Sequence, residues 1–481
     1  MNNNRLSGLK PEKVFKYFEE ISMIPRGSGN MKKISDYCCE FASIRNLKYV
    51  KDDYCNVVIY KNGSAGRENE EPVILQGHLD MVCEKTAGCE IDFENDSLDL
   101  AINGDFVYAN GTTLGGDDGI AVAYCLAILD SDDISHPPLE IVFTVDEETG
   151  MYGAENIDVS LLKGKRMINI DSEDEGTLWV SCAGGGRVDI EASFEPVTEG
   201  GTVCEIVLSG LHGGHSGAEI HKGYANANVL MGRVLKEISG SVDFALVSIN
   251  GGTMDNAITR ECRSKIVISS ESEALFKVIN RLNSQLRKEY KATDPELKLK
   301  IRECENVKHG MSKTDTVRIV DMLCEFPYGI IAMSKEIDGL VETSLNLGVV
   351  KTREDSVSFT FLLRSSVDSE RIKLTQMLIA IAGKYGAKSN VHSEYPAWEY
   401  KKDSVMQNVF ADAYKDIYGK NMVVTAIHAG LECGLFCGKI NGLDCVSFGP
   451  DIRDIHTPQE KLSISSCART WEYLLEVLKR I

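Results

Sequence analysis

Side chains that could bind a divalent metal ion follow several apolar segments of the chain, each with the pattern of a buried β-strand. These side chains are His78 and Asp80 after residues 73–77, Glu147 and Glu148 after residues 141–146, Asp171 after residues 167–170, and His456 after residues 445–450. A further pair, Asp117 and Asp118, begins an apolar helical segment. In an open α/β sheet, ligands bind beyond the carboxyl ends of the strands, so we expect these groups to meet in one crevice. Their mixture of imidazole and carboxylate donors predicts a divalent metal site, with zinc favoured and manganese or cobalt also compatible.

Each of these groups has a simpler explanation when it is taken alone. A single histidine after a strand is more often a satisfied surface or core residue, and Asp-Asp-Gly or Glu-Glu commonly forms a turn or begins a helix. Their occurrence together favours a metal site, because neighbouring acids repel one another unless a cation lies between them. His78 and Asp80 are the most informative pair. Side chains two residues apart in extended backbone point the same way, so Asp80 could accept the imidazole N–H while the other nitrogen binds metal.

The elements that must position these groups fall into regions of different character. Residues 1–184 alternate between helical and strand patterns, and their strands have the continuous apolar composition of strands that are covered on both faces. Residues 185–395 contain strands that alternate polar and apolar positions, with a repeated strand–strand–helix unit, and residues 396–481 return to the first pattern. We therefore expect a catalytic α/β domain formed by the first and last regions. Its sheet should be mixed and largely parallel with helices on both faces, and the middle region should be an inserted α+β lid domain.

Composition excludes several other classes of protein. The chain has 481 residues, and its 52 Lys and Arg against 72 Asp and Glu give a net charge of −20, which argues against a nucleic-acid partner. Its longest apolar run, Ile120–Leu129, is far shorter than the roughly 20 residues that span a bilayer. The 15 cysteines include no Cys-x-x-Cys pair, and the start of the chain lacks an apolar secretory stretch. These features predict a cytoplasmic protein that does not act at a membrane.

Several motifs together resemble a known group of enzymes. They are Gly77-His-Leu-Asp80, Gly116-Asp-Asp-Gly119, Asp146-Glu-Glu-Thr-Gly150, Asp171 and His456-Thr-Pro458, with supporting stretches at residues 110–119, 211–217, 252–256 and 428–435. This set resembles the co-catalytic di-zinc exopeptidases, and the resemblance covers essentially the whole chain. Within that superfamily the chain is most similar to the bacterial dipeptidases that accept aminoacyl-histidine substrates.

The resemblance implies a site with two zinc ions per chain, which manganese or cobalt could replace. The implied metal ligands are His78, Asp117 as the bridge, Glu148, Asp171 and His456. Spacing alone does not decide which of the adjacent glutamates is a ligand and which is the general base, and the resemblance assigns Glu147 as the base. Asp80 would orient His78, as its spacing also suggests.

The resemblance also assigns roles in the inserted domain. His215 would donate to the oxyanion, although without the resemblance its glycine-rich surroundings favour a solvent-exposed turn. Arg364 would hold the carboxylate of the substrate, the alternative being a surface ion pair, and Asn256 and the backbone at Gly430 would join it. Closure of the inserted domain over the other would then assemble the site.

The implied activity is hydrolysis of small unblocked dipeptides, including Xaa-His peptides such as β-alanyl-histidine. An N-acyl amino-acid deacylase or a tripeptidase on the same scaffold is the main alternative, and a non-catalytic binding protein is a more distant one. The inserted domain is about twice the usual length for the superfamily, so it could supply the oxyanion histidine within one chain. A homodimer is therefore compatible with the sequence but not required by it.

Overall fold

The chain forms two compact units, which are described separately below. A computed structural model describes residues 5–198, 200–269, 272–304 and 309–481. The first unit comprises the residues up to Ser181, Tyr400–Ala426 and Leu431–Ile481, and the second comprises Cys182–Glu399 and Ile427–Gly430. The sequence predicts divisions after residues 184 and 395, but it does not indicate that the short segment Ile427–Gly430 belongs to the second unit.

Helices and strands alternate in the first unit, whereas strands predominate in the second. The helices are α1 Glu12–Ser22, α2 Lys32–Ile44, α3 Gly116–Leu129, α4 Tyr152–Asn156, α5 Ala227–Ser239, α6 Ser272–Glu289, α7 Lys313–Glu325, α8 Asp368–Lys384, α9 Val405–Tyr418, α10 Glu432–Lys439 and α11 Ile464–Arg480. The strands up to the middle of the chain are β1 Lys48–Lys51, β2 Val57–Lys61, β3 Val73–His78, β4 Leu100–Asn103, β5 Phe106–Ala109, β6 Leu139–Thr144, β7 Arg166–Asn169, β8 Thr177–Cys182, β9 Gly184–Ser193, β10 Pro196–Val197, β11 Thr202–Ser209, β12 Gly214–His215, β13 Phe244–Gly251 and β14 Ala257–Ile258. The remaining strands are β15 Cys262–Ile268, β16 Lys298–Cys304, β17 Gly310–Met311, β18 Gly329–Met333, β19 Val341–Thr352, β20 Ser356–Ser365, β21 Lys388–Tyr395, β22 Val423–Ile427, β23 Asp444–Ser447, β24 Ile452–Arg453 and β25 Lys461–Ser463.

The first unit is built on a mixed sheet with the strand order β1-β2-β6-β3-β7-β23-β8-β22. Its central strands β6, β3, β7 and β23 run parallel to one another, while β1, β2 and β8 pair antiparallel with their neighbours. Strands β3 and β6 are buried along their whole lengths, as the continuous apolar sequences predict. Helix α3 packs on β3, and α9 and α10 pack on β23. The predicted mixed α/β fold is therefore confirmed, with its parallel strands confined to the centre of the sheet.

Helix α3 brings two acids to the end of β3. Every residue of this helix is buried, which agrees with its uniformly apolar sequence after the first turn. Gly77 permits the close approach of α3 to β3, because a Cβ atom at this position would lie 2.5 Å from Asp118 Oδ2 and 2.7 Å from Ala121 Cβ. Asp117 and Asp118 have non-helical dihedral angles and are joined by a cis peptide bond. Both acids lie beside His78, the last residue of β3.

The second unit is built on an antiparallel sheet with the strand order β16-β11-β15-β13-β19-β20-β9-β21, in which β18 also pairs with β19. Side chains from alternate positions of these strands form one large apolar core with helices α5, α6, α7 and α8. The remaining positions of β11, β13 and β15 contribute only a small apolar cluster around Val203, Ala245 and Val267. The alternating pattern of the sequence corresponds to this difference between the two faces.

The repeated strand–strand–helix pattern corresponds to two hairpin-like pairs. Strand β13 pairs with β15, and β19 pairs with β20. The two pairs join through a short contact between β13 and β19, in which Asn250 is opposite Lys351 and Gly251 is opposite Val350. No helix in the described ranges is long and apolar enough to cross a bilayer.

Candidate metal centre

The predicted metal ligands lie at one end of the sheet in the first unit. His78 ends β3, Asp171 lies two residues after β7, and Glu148 follows the end of β6. Because β3, β6 and β7 are parallel, their carboxyl ends share one edge of the sheet. Asp117 comes from the first turn of α3, and His456 from the turn after β24.

Asp117 lies between the two histidines and directs one carboxylate oxygen towards each. Its Oδ1 atom is 3.1 Å from His78 Nε2, and its Oδ2 atom is 3.3 Å from His456 Nε2. His78 Nε2 is also 3.5 Å from Asp171 Oδ1, and His456 Nε2 is 3.0 Å from Glu148 Oε2. Two nitrogen–oxygen clusters thus share a single carboxylate, which is the arrangement that a bridging ligand requires.

The carboxylate of Asp80 organises the backbone of the adjacent glutamates. It accepts hydrogen bonds from Glu147 N at 3.1 Å, Glu148 N at 3.3 Å and Ser28 Oγ at 2.7 Å. The nearest acceptor for His78 Nδ1 is the Asp80 carbonyl oxygen at 3.1 Å, while the Asp80 carboxylate is 3.5 Å away. A proton on His78 Nδ1 leaves Nε2 free to act as a ligand.

The acids of this cluster are buried close together, and their pKa values reflect it. Burial, with smaller contributions from Asp117 and Glu148, raises the pKa of Asp171 to about 6. Burial also raises the pKa of Glu147 well above its ordinary value, and nearby carboxylates add to the effect. Hydrogen bonds to Asp117 and Glu148 raise the pKa of His456 to about 10. These shifts describe a concentration of negative charge that a cation would relieve.

The donor atoms fit a divalent cation. In the described part of the chain, three groups have their donor atoms within 4.8 Å of one another: His78, Asp118 and Asp171; His78, Glu147 and Glu148; and Asp117, Glu148 and His456. Glu148 Oε1 is buried without a hydrogen-bond partner, so it has an unused lone pair. Asp118 differs from the predicted ligands because its Oδ2 atom accepts the backbone N–H of His78 at 3.2 Å.

His215, in the second unit, is held in a defined tautomer. Its Nδ1 atom accepts backbone N–H bonds from Gly217 at 3.2 Å and Ala218 at 2.9 Å. A neutral imidazole that accepts at Nδ1 carries its proton on Nε2, which is therefore a donor. Burial and the charge of Arg364 lower the pKa of His215, so the ring is neutral near pH 7. The side chain is half-buried and fixed, unlike that of a freely exposed turn.

Arg364 is a buried cation without an acidic partner among the described residues. It is 8% exposed, its Nη1 atom donates to Tyr395 Oη at 3.2 Å, and its Nε atom has no hydrogen-bond partner. A Cβ atom at Gly217 would lie 3.0 Å from Arg364 Nε and 3.1 Å from His215 Cε1, so these two side chains border the same backbone. An unpaired buried guanidinium is costly unless an anion binds to it.

The other predicted substrate residues also belong to the second unit. The backbone carbonyl oxygen of Asn256 accepts the backbone N–H of Ser216 at 2.8 Å. Asn256 and His215 both line a cleft of about 780 Å³. Gly430 is the last residue of the segment Ile427–Gly430, which belongs to the second unit. In this segment the carbonyl oxygen of Ala429 accepts the backbone N–H of Ala183 at 3.0 Å.

The sequence of this chain matches the model of a known protein family. A model of the Peptidase family M20/M25/M40 matches residues 74–480. The chain belongs to this family. The cytosol non-specific dipeptidase of Escherichia coli K12 is 36% identical to this chain over 483 residues, which cover 99% of each sequence.

Two solved structures are similar to this chain to different degrees. The aminoacylhistidine dipeptidase of Vibrio alginolyticus has a TM-score of 0.95 and 36% identity, and the match covers 100% of this chain and 98% of that one. The aminopeptidase PepT of Bacillus cereus has a TM-score of 0.56 and 14% identity over 98% of each chain, which shows a shared fold. The similarity to the dipeptidase branch that the motifs indicate is confirmed.

Several residues near the centre of this M20 peptidase were not predicted from its sequence. Arg26 is 2% exposed and donates to the carbonyl oxygens of Leu79 at 3.0 Å, Asp80 at 3.1 Å and Gly115. It follows α1 and lies between Pro25 and Gly27, two residues that are common in turns. This position in a turn is the signal in the sequence that could have identified it.

Glu432 is a second buried residue without a predicted role. Its Oε2 atom accepts hydrogen bonds from Gln76 Nε2 at 2.6 Å and Thr144 Oγ1 at 2.7 Å, beneath the ends of β3 and β6. Burial raises the pKa of Glu432 to about 7. The family-like stretch at residues 428–435 contains this residue, but the stretch alone does not indicate what the carboxyl group contacts.

Proposed function

We propose that this M20 peptidase is a metal-dependent dipeptidase that hydrolyses small unblocked dipeptides, including Xaa-His peptides such as β-alanyl-histidine. The observation that carries the proposal is the carboxylate of Asp117 between two imidazoles, with Glu147 in the same acidic cluster. The names of the Escherichia coli and Vibrio alginolyticus relatives support the substrate class.

The proposed site holds two divalent cations, with Zn²⁺ as the first choice and Mn²⁺ or Co²⁺ as substitutes. His78 and Asp171 would hold one ion, Glu148 and His456 would hold the other, and Asp117 would bind both. When bound, such ions lower the pKa of a water molecule towards 7 and polarise a peptide carbonyl.

The chain's own residues would then move protons and stabilise charge. Glu147 is proposed as the general base that accepts a proton from the attacking water and returns it to the leaving amine, a role that favours a carboxyl group of raised pKa. Asp80 orients that glutamate through its backbone N–H. The Nε2–H of His215 would donate to the oxyanion, where one preorganised donor contributes about 3–4 kcal/mol.

Recognition of the substrate is assigned to the remaining predicted residues. Arg364 would bind the C-terminal carboxylate, because it is a buried cation whose planar group can donate two parallel hydrogen bonds. Asn256 and the backbone at Gly430 would contact the peptide beside it. A cytoplasmic location and a homodimer remain predictions.

The proposal can be tested with purified protein and two substrates, Ala-His and β-alanyl-histidine. Hydrolysis should be lost after chelation and return when Zn²⁺, Mn²⁺ or Co²⁺ is added, and the metal-loaded Glu147→Gln variant should have a strongly reduced kcat. N-acetyl-Ala-His and a tripeptide, measured in parallel, should be poor substrates. Preference for either of these would favour the deacylase or tripeptidase alternative, and failure to bind two ions would contradict the proposal.

A further inference from the structure

Glu460 binds the backbone that leads into Asp117. Its Oε2 atom accepts N–H bonds from Leu114 at 2.8 Å and Gly115 at 3.0 Å, and its Oε1 atom accepts from Gly116 at 2.7 Å and Asp117 at 3.4 Å. The side chain is 2% exposed, so these charge-assisted bonds form away from water. Gly115 has a φ of 64°, which turns the successive N–H groups of this loop towards one point.

Glu460 also belongs to the turn that carries His456. Its backbone N–H donates to Thr457 at 3.1 Å, and the next residues form β25, which pairs with β5. One carboxylate therefore joins two segments that lie more than 340 positions apart in the sequence. Each of these segments supplies a predicted ligand of the same ion, namely Asp117 or His456.

Arg26 extends the connection to the third ligand-bearing segment. It donates to the carbonyl oxygen of Gly115 in the same loop, and to those of Leu79 and Asp80 immediately after His78. The loop before Asp117 is thus held by a carboxylate through its N–H groups and by a guanidinium through a carbonyl group. Neither side chain belongs to a candidate metal-binding group among the described residues.

We propose that Glu460 is a positioning residue that fixes Asp117 relative to His456 and so strengthens binding of the ion these two residues share. This inference rests on the proposed metal site but not on the identity of the substrate. Groups that orient metal ligands typically change metal affinity about 10–100-fold when they are removed. A merely stabilising carboxylate would lower thermal stability without this selective effect.

Glu140 provides a matched control in the same unit. It is 3% exposed and accepts backbone N–H bonds from Lys163 at 2.9 Å and Gly164 at 3.0 Å, but it lies at the start of β6 rather than at the end that carries the ligands. Glu140→Gln therefore removes a comparable buried carboxylate whose backbone partners lie before β7, at the opposite end of the strands from the predicted ligands.

The experiment measures binding of Zn²⁺ and Co²⁺ to the full chain by equilibrium dialysis, together with thermal unfolding and dipeptidase kinetics. Glu460→Gln should weaken one of the two ions about 10–100-fold. Its activity should recover when metal is added, with KM for Ala-His unchanged, whereas Glu140→Gln should lose stability but keep both affinities. If Glu460→Gln does not fold, Glu460→Asp, which keeps the charge but is one methylene shorter, takes its place.

Unchanged metal affinity in the Glu460 variant, or an equal loss in Glu140→Gln, would overturn the inference. Because metal binding is measured without substrate, this outcome is distinct from failure of the dipeptidase proposal. An enzyme that binds two ions normally but cleaves no dipeptide would contradict only the proposed substrate.

Discussion

Replacing Arg364 with alanine should impair hydrolysis of dipeptides with a free carboxylate far more than hydrolysis of their C-amidated counterparts. The reason lies in the surroundings of the guanidinium, which is 8% exposed and has no acidic partner among the described residues. Its only hydrogen bond in that part of the chain is to Tyr395 Oη at 3.2 Å, so most of its donors are available to a ligand.

The size of the effect follows from the bonds that would be lost. A hydrogen bond to a charged group contributes about 1.5–3 kcal/mol, so loss of a two-bond clamp should cost about 3 kcal/mol or more. That corresponds to a roughly 150-fold fall in kcat/KM, because each 1.36 kcal/mol is a factor of ten. We expect the fall to arise mainly from KM. An amide group can accept a hydrogen bond but carries no charge, so the C-amidated peptide should lose less than about tenfold.

Arg371 is a suitable control for this experiment. It has the same 8% exposure and lies in the same unit, but it is paired with Asp368 at 3.2 Å and Glu394 at 2.5 Å. Arg371→Ala should reduce stability without distinguishing the two substrates, while Arg364→Lys should recover part of the activity by restoring charge without the planar group. Steady-state kinetics of each variant on Ala-His and Ala-His-amide measure these effects. Equal losses on the two peptides in Arg364→Ala would refute the assignment.

Three further changes have defined outcomes. Glu147→Gln should lower kcat about 10²–10⁴-fold while the bound metal, measured by elemental analysis, stays unchanged, and loss of metal instead would identify Glu147 as a ligand. Gly77→Ala should destabilise the first unit by about 1–3 kcal/mol in thermal unfolding, because its Cβ would lie 2.5 Å from Asp118 Oδ2, and unaltered stability would contradict this packing. Burial and the charge of Arg364 lower the pKa of His428 from 6.5 to about 3, so its contribution to stability is complete above pH 6.5 and is lost as the pH falls. Titration of His428 should therefore lower the free energy of unfolding of the unmodified protein by about 2 kcal/mol between pH 7 and pH 5. Unfolding measured over this range should lack that part of the decrease in His428→Gln, and an identical pH dependence of the two proteins would disprove the effect.

The sequence predicts those parts of the centre that depend on local patterns. An apolar strand followed by His78 and Asp80 is a local feature, and so is the apolar helix that follows Asp117, because strand ends and helix starts fix where such groups lie. The role of Asp80 is only partly predictable. Its carboxylate is directed to the backbone N–H groups of Glu147 and Glu148, and this depends on the conformation of a turn after a different strand.

Residues that act over long sequence distances could not be predicted. The sequence around Arg26 and Glu460 does not indicate what these side chains contact, because their roles arise only when the loop before Asp117 is brought between them. Strand order is similarly hidden, since nothing near β7 indicates that β23 lies beside it. Hydrophobic patterns specify which elements form, whereas pairing between distant elements depends on how the whole core packs.

The long separation between β7 and β23 affects how the protein is made. These strands are parallel neighbours, and a hydrogen bond between Ser172, shortly after β7, and Ser447, the last residue of β23, joins positions 275 residues apart. At ribosomal rates of about 5–20 residues per second, β23 is synthesised about 15–55 s after β7. During that interval the apolar edge of β7 is unpaired, so the nascent chain should depend on chaperones, and a fragment ending at Ser181 should aggregate when expressed alone. The second unit also stays incomplete until Ile427–Gly430 has emerged, so both units reach their final form late in translation.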